Sequence, residues 1–374
     1  MIPRHVPALA LGTLALGVAE FSMMSILLPV ADDLGVTVPE AGHFISAYAA
    51  GVCAGVLIMA AAARKMPLKT LLLIIVGIIT LGNTLTVFVG SYHLMLLSRF
   101  IAGLPHGAYF GAAGVPLASF LAWAVSWRAA FAIAAAAALI TFSAIRITVP
   151  KVPALPDSGF AAQFRFLRSL EPWLVLGAIG LGNGGFFAYY SYVNPVMEHV
   201  AAVPASMMSV VITLAGAGMV LGNLFCAKIS SSFSDESLAA AGQGVLLLSL
   251  ASVFFLAHWS PAAIALTTLA AGCVFFISGP EQVLMIRNAK EGQLLAASLA
   301  QVSFNAGNAV GAWLGGLPID AGKAANWAAM PGFFLALAGF GLLFVNWLIH
   351  RVREEERTAG RIAALQDQIQ SKMP

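Results

Sequence analysis

Apolar stretches of about twenty residues recur along the chain, separated by short segments that carry most of its charges. A helix needs roughly 20 mostly apolar residues to cross the hydrocarbon of a bilayer. Backbone polar groups must be satisfied within the segment there, so each stretch predicts a helix. The stretches run at about 8–28, 41–62, 68–89, 94–124, 128–146, 173–193, 206–226, 238–257, 262–285, 293–317 and 326–348. The implied fold class is an all-α polytopic membrane protein with about ten full spans and one irregular segment. That segment, 94–124, is about 31 residues long, and Pro105, Pro116 and the cluster Gly107, Gly111, Gly114 interrupt it. In the 262–285 stretch, Ser278-Gly279-Pro280 is expected to break the helix.

The basic residues orient these spans. Arg4, Arg64, Lys65, Lys69, Arg146, Lys151, Arg165, Arg168, Lys228, Arg287, Lys290 and five in the tail make sixteen of nineteen, all in alternate connections. The opposite connections hold Asp32, Asp33, Glu40, Glu198 and Asp320. Positive charge marks the cytoplasmic side, so both termini and the central connection 147–172 are expected inside. This creates a parity problem, because residues 90–93 then lie outside and Arg146 inside. The chain between must cross an odd number of times, yet only 52 residues separate Leu94 from Ile145. One solution is that 94–124 forms a broken re-entrant hairpin; the alternative is a single long span with the second half inverted, which the charges oppose.

The chain also echoes itself. Leu11-Gly12, Gly17 and Pro29-Val30 recur as Leu176-Gly177, Gly182 and Pro195-Val196, at offsets of 165 to 166. Ser126-Trp127-Arg128-Ala129-Ala130 resembles Asn326-Trp327-Ala328-Ala329-Met330 at an offset of 200, so the first half is about 35 residues shorter between these landmarks. Related halves are common in secondary transporters. The expected organisation is an N-terminal bundle at 1–146, a cytoplasmic linker at 147–172, a C-terminal bundle at 173–350 and a cytoplasmic tail at 351–374. Ile362, Leu365 and Ile369 suggest that the tail forms a short amphipathic helix.

Composition removes other classes. Of 374 residues, 60% are hydrophobic and 9% charged, against about a quarter charged in soluble domains. The mean hydropathy is +0.90. No phosphate-binding loop, dinucleotide fingerprint or metal-ligand spacing is visible, so no cofactor or metal is expected. Energy for uphill movement would then come from a gradient. Cys53, Cys226 and Cys273 read as small buried hydrophobes, and Gly51, Gly55, Gly111 and Gly114 as small-residue packing faces.

Charges inside apolar runs are the candidate chemistry, because they are expensive there and face a cavity, a partner or a proton path. Glu20 lies well within the first span and is the leading proton-coupling candidate, with a structural, neutral carboxyl as the plain alternative. Arg99 and His106 are seven residues apart, close to two helical turns. Arg99 could hold an anionic group, pair with Glu20 or snorkel outward; His106 could titrate or merely pack. Asn183 lies within a glycine-rich stretch that Tyr189 and Tyr190 follow, and the three are candidates for lining a substrate pocket, with simple packing as the plain alternative for the aromatics. Gln301, Asn305 and Asn308 share one helical face, suited either to substrate or to hydrogen bonds between helices. Glu281 and Arg287, six residues apart, suggest an ion pair that latches an inner gate, with Arg64 and Lys65 as further gating candidates.

Several of these motifs carry a family resemblance. Leu11-Gly12-Thr13 through Gly17 and Glu20-Phe21 to Leu27-Leu28-Pro29 resembles the first helix of the bacterial drug:proton antiporter branch of the major facilitator superfamily. Ser98-Arg99-Phe100-Ile101-Ala102-Gly103, with His106-Gly107-Ala108 and Phe110-Gly111, resembles its fourth helix. Gly114-Val115-Pro116-Leu117 with Ser126-Trp127-Arg128 resembles its fifth helix and following loop, and Gln301, Phe304-Asn305 and Gly307-Asn308-Ala309 its eleventh. The likeness is greatest to the sugar or arabinose-polymer efflux group and covers roughly residues 7–350. It implies two pseudo-symmetric bundles alternating around a shared site, with Glu20 and Arg99 as embedded charges.

Family members have twelve helices, whereas here Ala112-Ala113 runs directly into Gly114-Val115-Pro116. The inner parts of helices four and five are therefore expected to be deleted. In the second-to-third loop the family's aspartate and glycine are replaced within Ala60-Ala61-Ala62-Ala63. The leading expectation is a monomeric exporter of a small organic solute, a sugar or amphiphilic drug, in exchange for protons across a bacterial inner membrane. It has the lipid bilayer as its surroundings and no nucleic-acid partner. The alternatives are a transport-inactive protein that kept the fold, and a facilitative uptake carrier without proton coupling.

Overall fold

The computed structural model describes residues 16, 19–20, 22–24, 26–63, 66–106, 127–149, 164–289 and 292–370. Every regular element among them is helical, as a chain that must satisfy its backbone inside a bilayer requires. In the first half, α1 is Leu27–Leu34, α2 Val38–Ala63, α3 Leu68–Val87, α4 Tyr92–Gly103 and α5 Trp127–Thr148. In the second, α6 is Glu171–Tyr190, α7 Met208–Ile229, α8 Asp235–Leu256, α9 Ser260–Asn288, α10 Gln293–Asp320 and α11 Ala329–Gln370. Together they form the two-bundle architecture of a polytopic membrane protein. Among the described residues five segments, Lys69–Val87, Ala205–Ile229, Asp235–Leu256, Ser260–Asn288 and Ala325–Glu356, are long and apolar enough to cross a membrane by length and composition alone.

Local signals set several boundaries. Thr37 and Glu40 form a reciprocal cap at the start of α2: the Thr37 amide donates to Glu40 Oε2 at 2.7 Å, and the Glu40 amide to Thr37 Oγ1 at 3.3 Å. This is the T-x-x-E capping box. Its bonds hold the Glu40 carboxyl below the usual carboxylate range. Ser234 caps α8 by accepting from the Ser237 amide at 3.3 Å. Gly35 ends α1 in the left-handed region at φ 64°, where glycine carries no side-chain penalty.

Three expectations need correction. Asp32 and Asp33 do not follow the first helix but lie exposed in its last turn, because α1 continues to Leu34. Pro280 does not break α9, which runs unbroken from Ser260 to Asn288. One proline removes a single backbone donor, and packing against neighbouring helices carries the rest of the segment through. The tail is not a separate helix either: its residues to Gln370 prolong the last span in one 42-residue helix. The irregular segment is described only in part. Helix α4 ends at Gly103, Leu104 and Pro105 form a turn, and residues 107–126 lie outside the described residues, as do Gly107, Gly111 and Gly114.

Within the first half α3 packs on α4 and α5, and α2 on α4; within the second, α6 is flanked by α10 and α11, and α9 by α7 and α8. Close approaches demand glycine at particular points. A Cβ on Gly55 would enter the Leu104 carbonyl just after α4, and one on Gly307 the Gly180 carbonyl of α6. The halves meet chiefly along α2 and α10. Cys53 Sγ donates to the Val302 carbonyl at 3.3 Å and Ser46 Oγ to the Ala309 carbonyl at 3.0 Å. Pro39 faces Gly316 one further step along. These contacts advance seven residues at a time on both antiparallel helices, the heptad register of a shallow left-handed crossing. Cys53 is thus half-buried and engaged across the interface, not a core hydrophobe.

Candidate functional site

The embedded charges of the first half come together. Glu20 is 5% exposed, Arg99 0% and His106 2%. Glu20 Oε2 lies 3.6 Å from His106 Nε2. The other imidazole nitrogen, Nδ1, shares a 2.7 Å hydrogen bond with the Tyr48 hydroxyl. Arg99 Nη2 donates to the Ala19 carbonyl at 2.9 Å, one residue from Glu20 along the chain. Its guanidinium lies 4.4 Å from the centre of the Tyr48 ring and 4.9 Å from that of Phe131. Cation–π contacts gain strength when desolvated, and with the carbonyl they give a buried cation the partners that its lost water would have supplied. Arg99 and Glu20 also lie close enough for their charges to act on each other. Arg99 therefore does not snorkel.

The arrangement follows from local helix geometry. Arg99 and His106 flank the end of α4, while Tyr48 projects from α2 where Gly103 admits the Tyr48 backbone at contact distance. Without that glycine, α2 and α4 would stand apart and the hydroxyl would not reach the imidazole. Among the described residues, Arg99 Nε and Nη1 have no hydrogen-bond partner. Two donors of a fully buried guanidinium are thus left open.

The second half reaches this cluster through an amide. Asn308 Nδ2 of α10 donates to Glu20 Oε1 at 3.4 Å. Asn305, one turn earlier, donates to the Gln301 carbonyl at 3.0 Å. The amide stripe therefore splits: Asn308 spans the two halves, Asn305 bonds back to its own helix, and Gln301 is half-buried. Asn183 donates to the Ile179 carbonyl at 2.8 Å and lies within bonding reach of Glu281. The Tyr189 hydroxyl shares a 2.5 Å bond with Thr267, and Tyr190 stacks on Phe186 with ring centroids 4.7 Å apart.

The expected Glu281–Arg287 pair does not form. Six residues turn a helix through about 600°, which places the two on different faces; pairs need a spacing of three or four. Arg287 instead bonds Glu236 and approaches Asp235 at 3.9 Å, and His350 Nδ1 stands 3.2 Å from the same Glu236 carboxylate. Glu236 is 1% exposed. Glu281 is buried, and its Oε1 has no partner among the described residues. Arg64 and Lys65 lie outside the described residues.

Sequence reasoning missed four participants. Tyr48 carried no signal, being one aromatic in an apolar run. Glu236 sits in Ser234-Asp235-Glu236, which reads as an ordinary helix start. Glu171, bonded by Arg353, stands just before an apolar run, where nothing in the sequence points to its partner. Asn194 was signalled by its place beside the repeated Pro-Val. Its Oδ1 accepts from the Leu28 amide at 3.1 Å, across 166 residues. That separation equals the offset of the repeated Pro-Val, so equivalent positions just before the two copies of that dipeptide meet.

Comparison with known proteins agrees with this architecture. The Major Facilitator Superfamily model matches residues 9–115. "Putative transporter AraJ" of Escherichia coli (strain K12) is 33% identical over 368 residues, covering 90% of this chain and 93% of the relative. "Inner membrane transport protein YdhP" of the same strain is 29% identical over 372 residues, covering 90% and 94%. A crystal structure of a point mutant of the nucleoside transporter NupG shares the fold, with a TM-score of 0.68 at 12% identity over 92% of this chain and 98% of that one. On its match to AraJ over nine-tenths of both sequences, the chain belongs to the Major Facilitator Superfamily and is a membrane transporter of small molecules, not an enzyme.

Proposed function

We propose that the protein is a proton-coupled exporter of a small organic solute, a sugar or an amphiphilic drug, in the inner membrane of a bacterium. One observation carries this reading: a buried carboxylate, Glu20, is contacted by an imidazole of its own half and by an amide of the other. A proton gained or lost there changes the charge felt on both sides of the interface. Coupling requires that one conformation bind the proton or the solute better than another, and a group shared between the halves is placed to supply that difference. Arg99, with two open donors, biases Glu20 or takes an anionic group of the solute; His106 relays between Glu20 and Tyr48. Asn305, Asn308 and Gln301 of α10, with Asn183, Tyr189 and Tyr190 of α6, line the solute path.

The direction of transport and the sugar-efflux grouping rest on the motif resemblance in the first, fourth and eleventh helices. In this reading the bundles occupy 1–146 and 173–350, the linker 147–172 and both termini are cytoplasmic, and the tail begins at 351. The segment 94–124 has lost the inner halves of helices four and five with the loop between them, and the protein acts as a monomer. The inner latch passes from Glu281 to the Glu236–Arg287–His350 cluster, with Arg64 and Lys65 on the first half.

The test uses proteoliposomes loaded with a pH-sensitive dye and challenged with a library of sugars and amphiphilic drugs, anionic ones included. The expected result is solute-driven proton movement in the wild type that Glu20→Gln abolishes. Solute flux indifferent to a pH gradient supports a facilitative carrier instead, and no flux with any solute supports a transport-inactive protein.

A further inference from the structure

Helix α6 is held by both α10 and α11, yet those two diverge from each other across its outward side. A groove of about 390 Å³ opens between them. Its floor is Gly177, Gly180 and Gly184 of α6, with Ala306 and Val310 of α10 on one side and Leu335 of α11 on the other. Val310 is 47% exposed and Trp173, at one end, 55% exposed, so the groove faces the bilayer and not the interface between halves. Its two polar side chains are already committed: Ser303 Oγ donates to the Leu176 carbonyl at 2.5 Å, and Trp173 Nε1 to the Leu167 carbonyl at 2.8 Å. The surface offered to a ligand is therefore apolar.

Its dimensions select the occupant. From Trp173 to Gly184 the floor runs roughly 16 Å at ~1.5 Å per residue, about half of the ~30 Å hydrocarbon thickness. The groove thus starts at one membrane surface and ends near the midplane. An apolar groove of that depth matches one leaflet's share of the hydrocarbon, the reach of a lipid acyl chain. The surface end is basic. The Trp173–Leu167 bond fixes the turn Arg165–Arg168 beside the rim, Arg168 is exposed, and the nearby Glu171 is bonded by Arg353.

We propose that this groove seats one acyl chain of an anionic glycerophospholipid from the leaflet beside the 165–168 turn, with its phosphate at Arg168. The chain lies along the half-buried edge of the glycine floor between α10 and α11, and the headgroup adds charge attraction at the membrane surface.

Native mass spectrometry of the full-length protein, titrated with phosphatidylglycerol or with phosphatidylcholine of the same acyl chains, tests the assignment. The wild type is expected to retain one phosphatidylglycerol in preference to phosphatidylcholine. Arg168→Gln should weaken that binding about fivefold with little effect on phosphatidylcholine. Ala306→Trp fills the groove from its lipid-facing side and should remove the bound lipid of either kind. Melting temperatures in detergent without lipid establish that both variants fold. Equal retention of the two lipids by the wild type, unaltered retention by Ala306→Trp, or a second copy of the chain in place of lipid would each overturn the proposal.

Discussion

The two halves are both helical, echo each other in sequence and differ in what they bury. The first half holds Glu20, Arg99 and His106 together with Tyr48 in one cluster. At the repeat offset of 165 the counterpart of Glu20 is Gly185, where a Cβ would crowd the Gly332 carbonyl at 2.6 Å. The second half thus uses the position for close helix packing and the first for charge. Its own embedded carboxylate, Glu281, is on a different helix and has an amide, not an imidazole or guanidinium, beside it. The lesson is that structural symmetry does not distribute chemistry evenly. The first bundle gathers its embedded charges in one cluster, and the second touches that cluster through Asn308.

The sharpest way to break this comparison is to remove the cation. Arg99→Gln leaves Glu20 without its charge partner and the Ala19 carbonyl without its donor, an expected loss of about 3–5 kcal/mol. Asn183→Ala in the second half is expected to cost about 0.6 kcal/mol. Melting temperatures in detergent compare the two, and equal losses would dissolve the asymmetry. Next in size is a change that the halves should share. Gly55→Val and Gly307→Val each drive a side chain into a facing backbone carbonyl, at about 1–3 kcal/mol or more. Similar losses of folded yield are expected, because backbone contact serves both bundles alike.

The contacts between halves follow. Asn308→Ala and Asn194→Ala should each cost about 0.6 kcal/mol, but with different consequences. Asn308→Ala also removes a partner of Glu20, so it should shift the pH dependence of flux, which Asn194→Ala should leave in place. The smallest expected effect is at the start of α2. The bonds from Thr37 hold Glu40 below its ordinary range, so their contribution is present at neutral pH and lost as pH falls through the depressed value. The melting-temperature difference between wild type and Glu40→Gln should shrink on acidification through that window.

Much of this was legible in the sequence, for identifiable reasons. Apolar runs specify helices strongly because lipid leaves the backbone few alternatives, and Glu20, Arg99 and His106 stood out because charge is rare there. Helix ends were less legible: α1 carries Asp32 and Asp33 in its last turn, and α9 continues through Pro280. Partner choice was least legible. Arg287 selects Glu236 across 51 residues, a pairing set by how α8 and α9 pack and invisible in linear spacing. Tyr48 gives the same lesson, since only the approach of α2 to α4 makes its hydroxyl a neighbour of His106.

The central claim is that Glu20, and not the other embedded carboxylate, couples the solute to protons. Proteoliposomes bearing Glu20→Gln or Glu281→Gln, assayed for solute exchange and for accumulation driven by a pH gradient, test it most directly. The account predicts that Glu20→Gln keeps exchange and loses gradient-driven accumulation, while Glu281→Gln keeps both. Gradient-driven accumulation that survives in Glu20→Gln and disappears in Glu281→Gln would contradict it.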